Sequence, residues 1–464
     1  MCVLPQPSRV VHPDHRFRVE PASGLTHPMA GQRFPLIAYG AWSNGTCQGV
    51  APGLAAPYLV SLNQVSLDTR IQINAEDDYI GAALSNANGP AKWRRSQGVT
   101  VIDPSHGFIS FADAPRVATG INPKASWVTR RLPEDSPLRW APVGDPQIGD
   151  VLLCEVLRPG LHGRIETSTG ERSKLYVGDL IICALGRRYA TGMLEASAEL
   201  CGEEADLVSA SGVCGRVLQR TNEAVKPTRL RVLAQAVGAT GRPLNLRSYG
   251  PEPAPPSLHR PAWILVVGSA MDSGKTTACA GLIHGLARAG MRVGAAKLTG
   301  TSSARDSGSY RDAGADPVFE FLDCGWPSTA GCTIEELDAI VCNLSGHLRA
   351  ARVDAAVLEV ADGLLQPETA ALLELLRERL ETDTAVFAAR ESLSAVAGVE
   401  RLQRLGYDVA AVSGVVSISP LARREVELAC SVPCLTTTEL GLQATSISGL
   451  TASPQLREIG RLTG

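Results

Sequence analysis

Short apolar runs alternate with longer amphipathic stretches in the second half of the chain. The runs are typical of strands buried on both faces of a parallel sheet. The stretches between them repeat apolar residues at helical spacing. The predicted strands lie at residues 263–267, 292–297, 355–360, 385–389, 409–416 and 432–436. The predicted helices lie at residues 276–289, 333–351, 366–381, 393–405 and 420–429. This alternation predicts an α/β fold with a doubly wound parallel sheet.

The first half of the chain has a different pattern, in which glycine-containing turns lead into short apolar strands. Residues 149–154 and 178–183 both begin Gly-Asp and continue as an apolar run. Several short strands with such turns predict a small β-barrel or sandwich over residues 140–248. The fold of residues 1–139 is left unassigned. An N-terminal β-rich region is therefore expected to precede the α/β domain.

A proline-rich segment separates these two regions. Residues 249–261 contain five prolines, which disfavour a helix and favour an extended, stiff linker. The α/β domain is accordingly predicted over residues 262–464.

The bulk composition excludes several classes of partner. The 464 residues carry a net charge of −3, and no apolar run approaches the roughly 20 residues of a membrane span. We therefore expect neither a nucleic acid nor a membrane as partner. The N-terminus has no apolar signal region, so a cytoplasmic protein is expected. The 12 cysteines then predict reduced thiols. A zinc site formed by Cys324, Cys332, Cys342 and His347 is the less favoured alternative, because their spacing matches no common zinc module.

The strongest chemical signal is a phosphate-binding loop directly after the first predicted strand of the α/β domain. Residues 268–277 read Gly-Ser-Ala-Met-Asp-Ser-Gly-Lys-Thr-Thr and lead into a predicted helix. Backbone N–H groups of such a loop surround a phosphate, and the helix N-terminus adds its positive dipole end. Lys275 is expected to reach the β- and γ-phosphates, and the Thr276 hydroxyl to ligate Mg²⁺. The predicted nucleotide-binding residues are Gly268, Ser269, Met271, Asp272, Ser273, Gly274, Lys275, Thr276 and Thr277.

Charged side chains at the ends of later strands are candidates to complete the site. Glu359 interrupts an apolar strand, where a carboxylate is costly unless it meets a cation, so it is a candidate Mg²⁺ ligand. Lys297 closes another strand and is a candidate catalytic cation. Asp306 and Asp312 compete as the second metal-shell carboxylate, and Asp362 in the turn after Glu359 is a further alternative.

The stretch from residue 262 to about residue 440 resembles the dethiobiotin-synthetase-like branch of P-loop proteins. Those proteins have a glycine, five residues and then Gly-Lys-Thr, which Gly268, Gly274, Lys275 and Thr276 match. The family's Glu-Gly-Ala-Gly-Gly strand end is similar to the Glu-Val-Ala-Asp-Gly that begins at Glu359. The sequence departs from the family at Ala270, where an aspartate is usual. The N-terminal half resembles no family known to us.

The resemblance implies a Mg²⁺-dependent, ATP-binding enzyme that activates a small carboxylate or related acid by phosphoryl transfer. It implies Lys275 and Lys297 as catalytic residues and Thr276, Glu359 and Asp306 as metal ligands. Ser417 stands where the family usually has the asparagine that reads the base, so ATP and GTP both stay open. A homodimer is a possible assembly. The alternative function is a nucleotide-gated maturation or partner-binding factor with slow hydrolysis.

Overall fold

A computed structural model describes residues 122–133, 138–221 and 225–450 in full, and the backbone alone of seven strands between residues 17 and 102. The unassigned region 1–139 therefore lies mostly outside the described residues, as do residues 451–464. The chain forms two compact units. The first unit contains residues 1–122, 134–144 and 234–242. The second contains residues 123–133, 145–233 and 243–464.

The first unit contains a seven-stranded sheet with the strand order β6-β5-β1-β2-β3-β4-β7. Neighbouring strands are antiparallel except β1 and β5, which are parallel. The strands are β1 (Phe17–Pro21), β2 (Phe34–Ala38), β3 (Thr46–Val50), β4 (Leu59–Asn63), β5 (Arg70–Glu76), β6 (Tyr79–Ser85) and β7 (Val99–Ile102).

A second sheet of nine strands follows in the sequence. Its strands are β8 (Lys124–Ala125), β9 (Arg139–Ala141), β10 (Val151–Arg158), β13 (Leu180–Leu185), β14 (Arg188–Ala190), β15 (Leu194–Ser197), β16 (Glu204–Leu207), β17 (Val213–Arg220) and β18 (Thr228–Val237). Strands β10, β13, β17, β16 and β18 pair in a closed ring, which makes a small barrel. The β14–β15 hairpin extends from β17. A separate hairpin joins β11 (Arg164–Glu166) to β12 (Arg172–Lys174).

The second half of the chain forms a six-stranded parallel sheet with the order β21-β20-β22-β19-β23-β24. Its strands are β19 (Ala262–Gly268), β20 (Val293–Lys297), β21 (Val318–Glu320), β22 (Ala355–Val360), β23 (Thr384–Ala388) and β24 (Asp408–Ser413). The helices are α1 (Lys275–Arg288), α2 (Ala304–Asp312), α3 (Ile334–Ala350), α4 (Pro367–Leu380), α5 (Ser392–Arg404), α6 (Pro420–Cys430), α7 (Thr437–Leu442) and α8 (Ala444–Ile447). The structure is thus a mixed α/β protein with a parallel sheet and a β-rich N-terminal part. The order changes direction at β19, so the loop after β19 lies at the switch point, where ligands bind in such sheets.

Two of the predicted strands were wrong in part. The predicted strand 432–436 is reduced to one bridge between Val412 and Cys434, because Pro433 has no N–H for a ladder and Thr436 already caps α7. The predicted strand 409–416 ends at Ser413, because Gly414 has a φ of +90° and turns the chain. The short elements β21 and α2 were not predicted.

Helix α1 packs closely against α7 at two glycines. A Cβ on Gly285 would lie 1.9 Å from the Gly441 carbonyl oxygen, and one on Gly281 would lie 2.8 Å from the Thr437 carbonyl oxygen. An adjoining apolar face of α1 is buried in the core with residues of the sheet through Ala278, Leu282, Ile283 and Leu286. This two-sided packing fixes the helix whose N-terminus begins at the phosphate loop.

The proline-rich segment is extended and lies along α3. His259 Nε2 is 2.6 Å from the Val353 carbonyl oxygen, and the Ser257 hydroxyl donates to the Arg349 carbonyl at 3.1 Å. The segment is therefore bound to the α/β domain along its length. Within the part of the chain that the structure describes, no helix combines the length and apolarity that crossing a bilayer requires.

Candidate functional site

The loop between β19 and α1 is shaped as an anion cradle. Gly274 has a φ of +96°, and a Cβ there would lie 2.8 Å from the Gly414 Cα, so only glycine fits. Among the described residues, none accepts a hydrogen bond from the backbone N–H groups of residues 270–274. Unpaired N–H groups at a helix N-terminus attract anions. The Ser273 hydroxyl is also buried without a partner in the described chain. The loop therefore presents the donors that a phosphate requires.

Lys275 crosses the mouth of this loop. Its Nζ donates to the Ala270 carbonyl at 2.8 Å and to the Asp362 carbonyl at 2.7 Å. The side chain is buried, and burial lowers its pKa, while the charges of Glu359 and Asp362 oppose that change. Both hydrogen-bond partners are neutral carbonyl oxygens, so among the described residues the ammonium forms no ion pair and can meet an anion in the cradle.

Glu359 is held by three donors beside the loop. Its Oε2 accepts from the Thr276 hydroxyl at 2.9 Å and from the Tyr310 hydroxyl at 2.5 Å, and the Cys279 thiol lies 3.9 Å away. Glu359 is only 2% exposed. Burial and the charge of Glu359 raise the pKa of Tyr310, so its hydroxyl stays protonated and donates a hydrogen bond to Glu359. A hydroxyl and a carboxylate on one oxygen-rich wall form the donor set that Mg²⁺ prefers.

Lys297 and Asp306 form an ion pair next to this wall. Lys297 Nζ also donates to the Thr301 carbonyl at 3.0 Å. Burial lowers the pKa of Lys297, but the charges of Asp306 and Glu359 outweigh it and raise the pKa overall. Lys297 also pairs with Glu359 in the sheet register. The structure thus brings the predicted Lys297, Asp306 and Glu359 together.

The other predicted residues are spread between the loop and its surroundings. Asp272 and Thr277 are exposed. Asp312 is also exposed, at the last residue of α2, six positions from Asp306 and on a different helical face. Asp362 lies at the phosphate loop, because its carbonyl oxygen accepts from Lys275 Nζ at 2.7 Å.

Three segments at the carboxyl edge of the sheet enclose the phosphate loop. A Cβ on Gly363 would lie 2.6 Å from the Ser269 carbonyl oxygen. Val415 N–H donates to the Ser273 carbonyl at 3.1 Å, and Arg390 Nη1 donates to the Asp272 carbonyl at 3.3 Å. These segments follow β22, β24 and β23 respectively. The walls of the cradle therefore come from residues far apart in the sequence.

Tyr310 is a site residue that the sequence reasoning missed. It lies four residues after Asp306 on α2, so both side chains project from the same helical face. The ion pair of Asp306 with Lys297 therefore positions the helix that carries Tyr310 to Glu359. The i, i+4 spacing of Asp306 and Tyr310 could have indicated that the two side chains lie on one face, but only if α2 had been predicted as a helix.

The β-rich part of the second unit is bonded to segments next to the site. Glu166 in the β11–β12 hairpin accepts from the Ala304 N–H at 2.8 Å, at the start of α2. The Ser302 and Ser211 hydroxyls are 3.0 Å apart. Trp127 Nε1 donates to Glu320 Oε1 at 2.7 Å. These contacts join the β-rich strands to the chain that follows Lys297, and none was expected from the sequence.

The buried carboxylate of Glu320 lies at the centre of a charged cluster in the same region. Arg130 Nη1 lies 3.0 Å from Glu320 Oε1, and Arg130 also pairs with Asp323 at 2.5 Å. Burial raises the pKa of Glu320 to about 7, although the charge of Arg130 opposes that change. The cluster adds buried ion pairs between the β-rich part and the α/β part of the second unit.

The zinc alternative finds no geometric support in the described part of the chain. No group of three histidine, cysteine or acidic side chains there could hold a metal ion. Cys324 instead faces Asn343, Cys342 faces Asp338, and His347 Nε2 lies 3.0 Å from the Glu252 carbonyl oxygen.

Comparisons with known proteins add little to this geometry. No protein-family model matches the chain, and no curated protein matches it. Among solved structures, the chain is similar to the signal recognition particle receptor FtsY from Elizabethkingia anophelis in complex with GDP, with 14% identity and a TM-score of 0.29 over 44% of this chain and 70% of that chain. A second structure of the same receptor aligns at 16% identity and a TM-score of 0.27, over 44% and 69% of the two chains. Both TM-scores are low, and the P-loop-like fold follows instead from the strand order and from the loop between β19 and α1.

Proposed function

We propose that the chain is a Mg²⁺-dependent P-loop enzyme that binds and hydrolyses a nucleoside triphosphate. The observation that carries this proposal is Lys275 crossing a loop of unpaired N–H groups, with the Thr276–Glu359 pair at its side. A phosphate cradle, a buried cation and an oxygen-rich wall are the three parts that phosphoryl transfer requires. All three come from residues at one edge of the parallel sheet.

The proposal gives each side chain a defined task. The N–H groups of residues 270–274 and Lys275 bind the phosphates. Thr276 and Glu359 would hold the metal, which when bound would neutralise phosphate charge, and Tyr310 orients Glu359. The catalytic role expected of Lys297 requires its ammonium to face the nucleotide, whereas here it is ion-paired with Asp306. We therefore assign this pair to positioning α2 beside the metal ligands.

The finer assignments rest on the resemblance of the sequence. We propose ATP as the nucleotide and a small carboxylic acid as the phosphoryl acceptor. A nucleotide-gated partner-binding factor is the second candidate, and one observation favours it. The β-rich strands are bonded to the start of α2 through Glu166 and to Ser302, so a rearrangement of α2 on nucleotide binding would be transmitted to them. Hydrolysis stimulated by small acids supports the first candidate, and stimulation by a protein supports the second.

The central test compares Lys275→Ala with Lys226→Ala, which alters an exposed lysine elsewhere in the second unit. Each variant is titrated with Mg²⁺–ATP and Mg²⁺–GTP by calorimetry. A hydrogen bond from a charged group contributes about 1.5–3 kcal/mol, so Lys275→Ala is expected to weaken binding at least ~10-fold. Lys226→Ala should bind like the unaltered protein. Equal affinity in all three proteins, or no nucleotide binding by the unaltered protein, would contradict the proposal.

A further inference from the structure

The hairpin that carries a buried arginine of the β-rich part lies against the phosphate loop. Arg188 begins β14 and is only 8% exposed. The turn of the β14–β15 hairpin reaches the loop, because a Cβ on Gly192 would lie 3.1 Å from the Met271 Cε. Met193 in the same turn accepts from Arg188 Nη2 at 3.3 Å. Adjacent residues of one turn, Gly192 and Met193, thus contact the phosphate loop and the guanidinium respectively.

Among the described residues, no carboxylate is bonded to the buried guanidinium of Arg188. Its Nη1 donates to the Val208 carbonyl and lies 3.0 Å from His162 Nε2. Its Nε is buried and has no hydrogen-bond partner in the described chain. Arginine stays charged in proteins, so a buried guanidinium with only neutral partners is costly unless an anion completes it. The arrangement leaves donor capacity for such an anion.

The electrostatic surroundings of Arg188 identify the side from which the anion would come. Burial lowers the pKa of Arg188, and the charges of Asp362 and Asp272 oppose that change. Asp272 belongs to the phosphate loop, and the Asp362 carbonyl holds Lys275. The two charges that act on Arg188 therefore flank the cradle. A phosphate, like a carboxylate, presents oxygens that match the guanidinium fork, and a phosphate is the anion that this cradle would hold.

His162 orients the guanidinium. Burial and the charge of Arg188 lower the pKa of His162 to about 4, so the ring is neutral at pH 7. His162 Nε2 lies 3.0 Å from Arg188 Nη1 and also 3.0 Å from the Val208 carbonyl oxygen to which Nη1 donates, so the imidazole and the guanidinium meet at one acceptor. His162 is thus a positioning residue for Arg188.

We propose that Arg188 contacts the terminal phosphate of the bound nucleotide and stabilises the charge that develops there during hydrolysis. This inference rests on the proposed function. In the step, a water oxygen bonds to the γ-phosphorus while the bond from that phosphorus to the β–γ bridging oxygen breaks. The products are the nucleoside diphosphate, inorganic phosphate and a proton released to solvent. Arg188 donates hydrogen bonds throughout and transfers no proton. The β-rich part thereby supplies a catalytic residue to the phosphate site within one chain.

The test compares Arg188→Gln and Arg188→Lys with Arg187→Gln in the full chain. Arg187 is the exposed neighbour that donates to the Gly331 carbonyl and is the matched control. Single-turnover hydrolysis and the affinities for the Mg²⁺ diphosphate, alone and with aluminium fluoride, are measured for each protein. Arginines in this role contribute 10³–10⁵-fold in other P-loop enzymes, so both Arg188 variants should hydrolyse at least ~100-fold more slowly. Diphosphate affinity should change less than about threefold, while aluminium fluoride no longer tightens it.

The outcomes separate this inference from the proposed function. Hydrolysis by Arg188→Gln or Arg188→Lys within about threefold of the unaltered protein overturns the role of Arg188 and leaves the proposed function intact. A parallel loss of diphosphate affinity and of unfolding free energy in both variants also overturns it, because it indicates a structural role. Restored hydrolysis of Arg188→Gln by added guanidinium ion supports it. If the unaltered protein binds and hydrolyses no nucleotide, the proposed function and the inference both fail.

Discussion

Gly414 provides the sharpest test of how the phosphate loop is enclosed. It has φ +90° and ψ −154°, a conformation open almost only to glycine. A Cβ there would lie 2.1 Å from the Ser273 carbonyl oxygen, well inside van der Waals contact. Gly414→Ala is therefore predicted both to strain its own backbone and to push the phosphate loop out of place.

The expected magnitude follows from these two effects. Backbone strain of this kind costs about 1–3 kcal/mol, and overpacking against a backbone atom costs about 1–3 kcal/mol more. Gly178→Ala is the matched control, because Gly178 has a φ of +85° but a Cβ there would meet no atom within 4 Å. It should lose only about 1 kcal/mol. Urea unfolding measures both losses, and calorimetry with Mg²⁺–ATP measures the effect on the loop.

Nucleotide affinity should fall in Gly414→Ala and stay unchanged in Gly178→Ala. The reasoning is refuted if the two variants lose equal unfolding free energy and bind nucleotide equally well. Such a result would mean that the Gly414 turn does not press on the Ser273 carbonyl in solution.

Two further predictions concern buried polar groups. Tyr310→Phe removes a hydrogen bond to the charged Glu359, so it should lower the unfolding free energy by about 2 kcal/mol and weaken Mg²⁺ binding. Tyr407→Phe loses a hydrogen bond to a neutral carbonyl, so it should cost about 1 kcal/mol and leave Mg²⁺ affinity unchanged. Urea titrations measure the unfolding free energies and calorimetric titrations the Mg²⁺ affinities, and equal Mg²⁺ affinities in the two variants would contradict this prediction. His162 has a pKa of about 4 when folded and 6.5 as its ordinary value, so the unfolded chain binds more protons and stability falls as pH drops from 6.5 to 4, by about 3 kcal/mol. His162→Gln should remove this acid-dependent loss of unfolding free energy in urea titrations at several pH values. His284→Gln, on the exposed side of α1, should retain it. If both variants retain the loss, His162 is not its source.

The chemistry of the phosphate loop was determined by the sequence alone. An apolar strand, a glycine-bounded loop and an amphipathic helix are contiguous, so local propensities place Gly274, Lys275 and Thr276 without reference to the rest of the chain. The place of Glu359 beside the loop could also be predicted, because a carboxylate in an apolar strand of a parallel sheet needs polar partners, while its role as a metal ligand stays a prediction. These residues depend on spacing within one or two elements.

Only the tertiary structure decided what surrounds that loop. Lys297 is ion-paired with Asp306, which the strand pattern did not indicate. Tyr310 donates to Glu359 from a helix that is too short and too polar to show a clear apolar period. The hairpin that carries Arg188 packs on the loop through Gly192 and Met271, from more than 70 residues earlier in the chain. Side-chain contacts at such separations depend on how sheets and hairpins pack, and hydrophobic periodicity carries no information about that packing. The sequence therefore determined the phosphate cradle, and the tertiary structure determined which charges meet it.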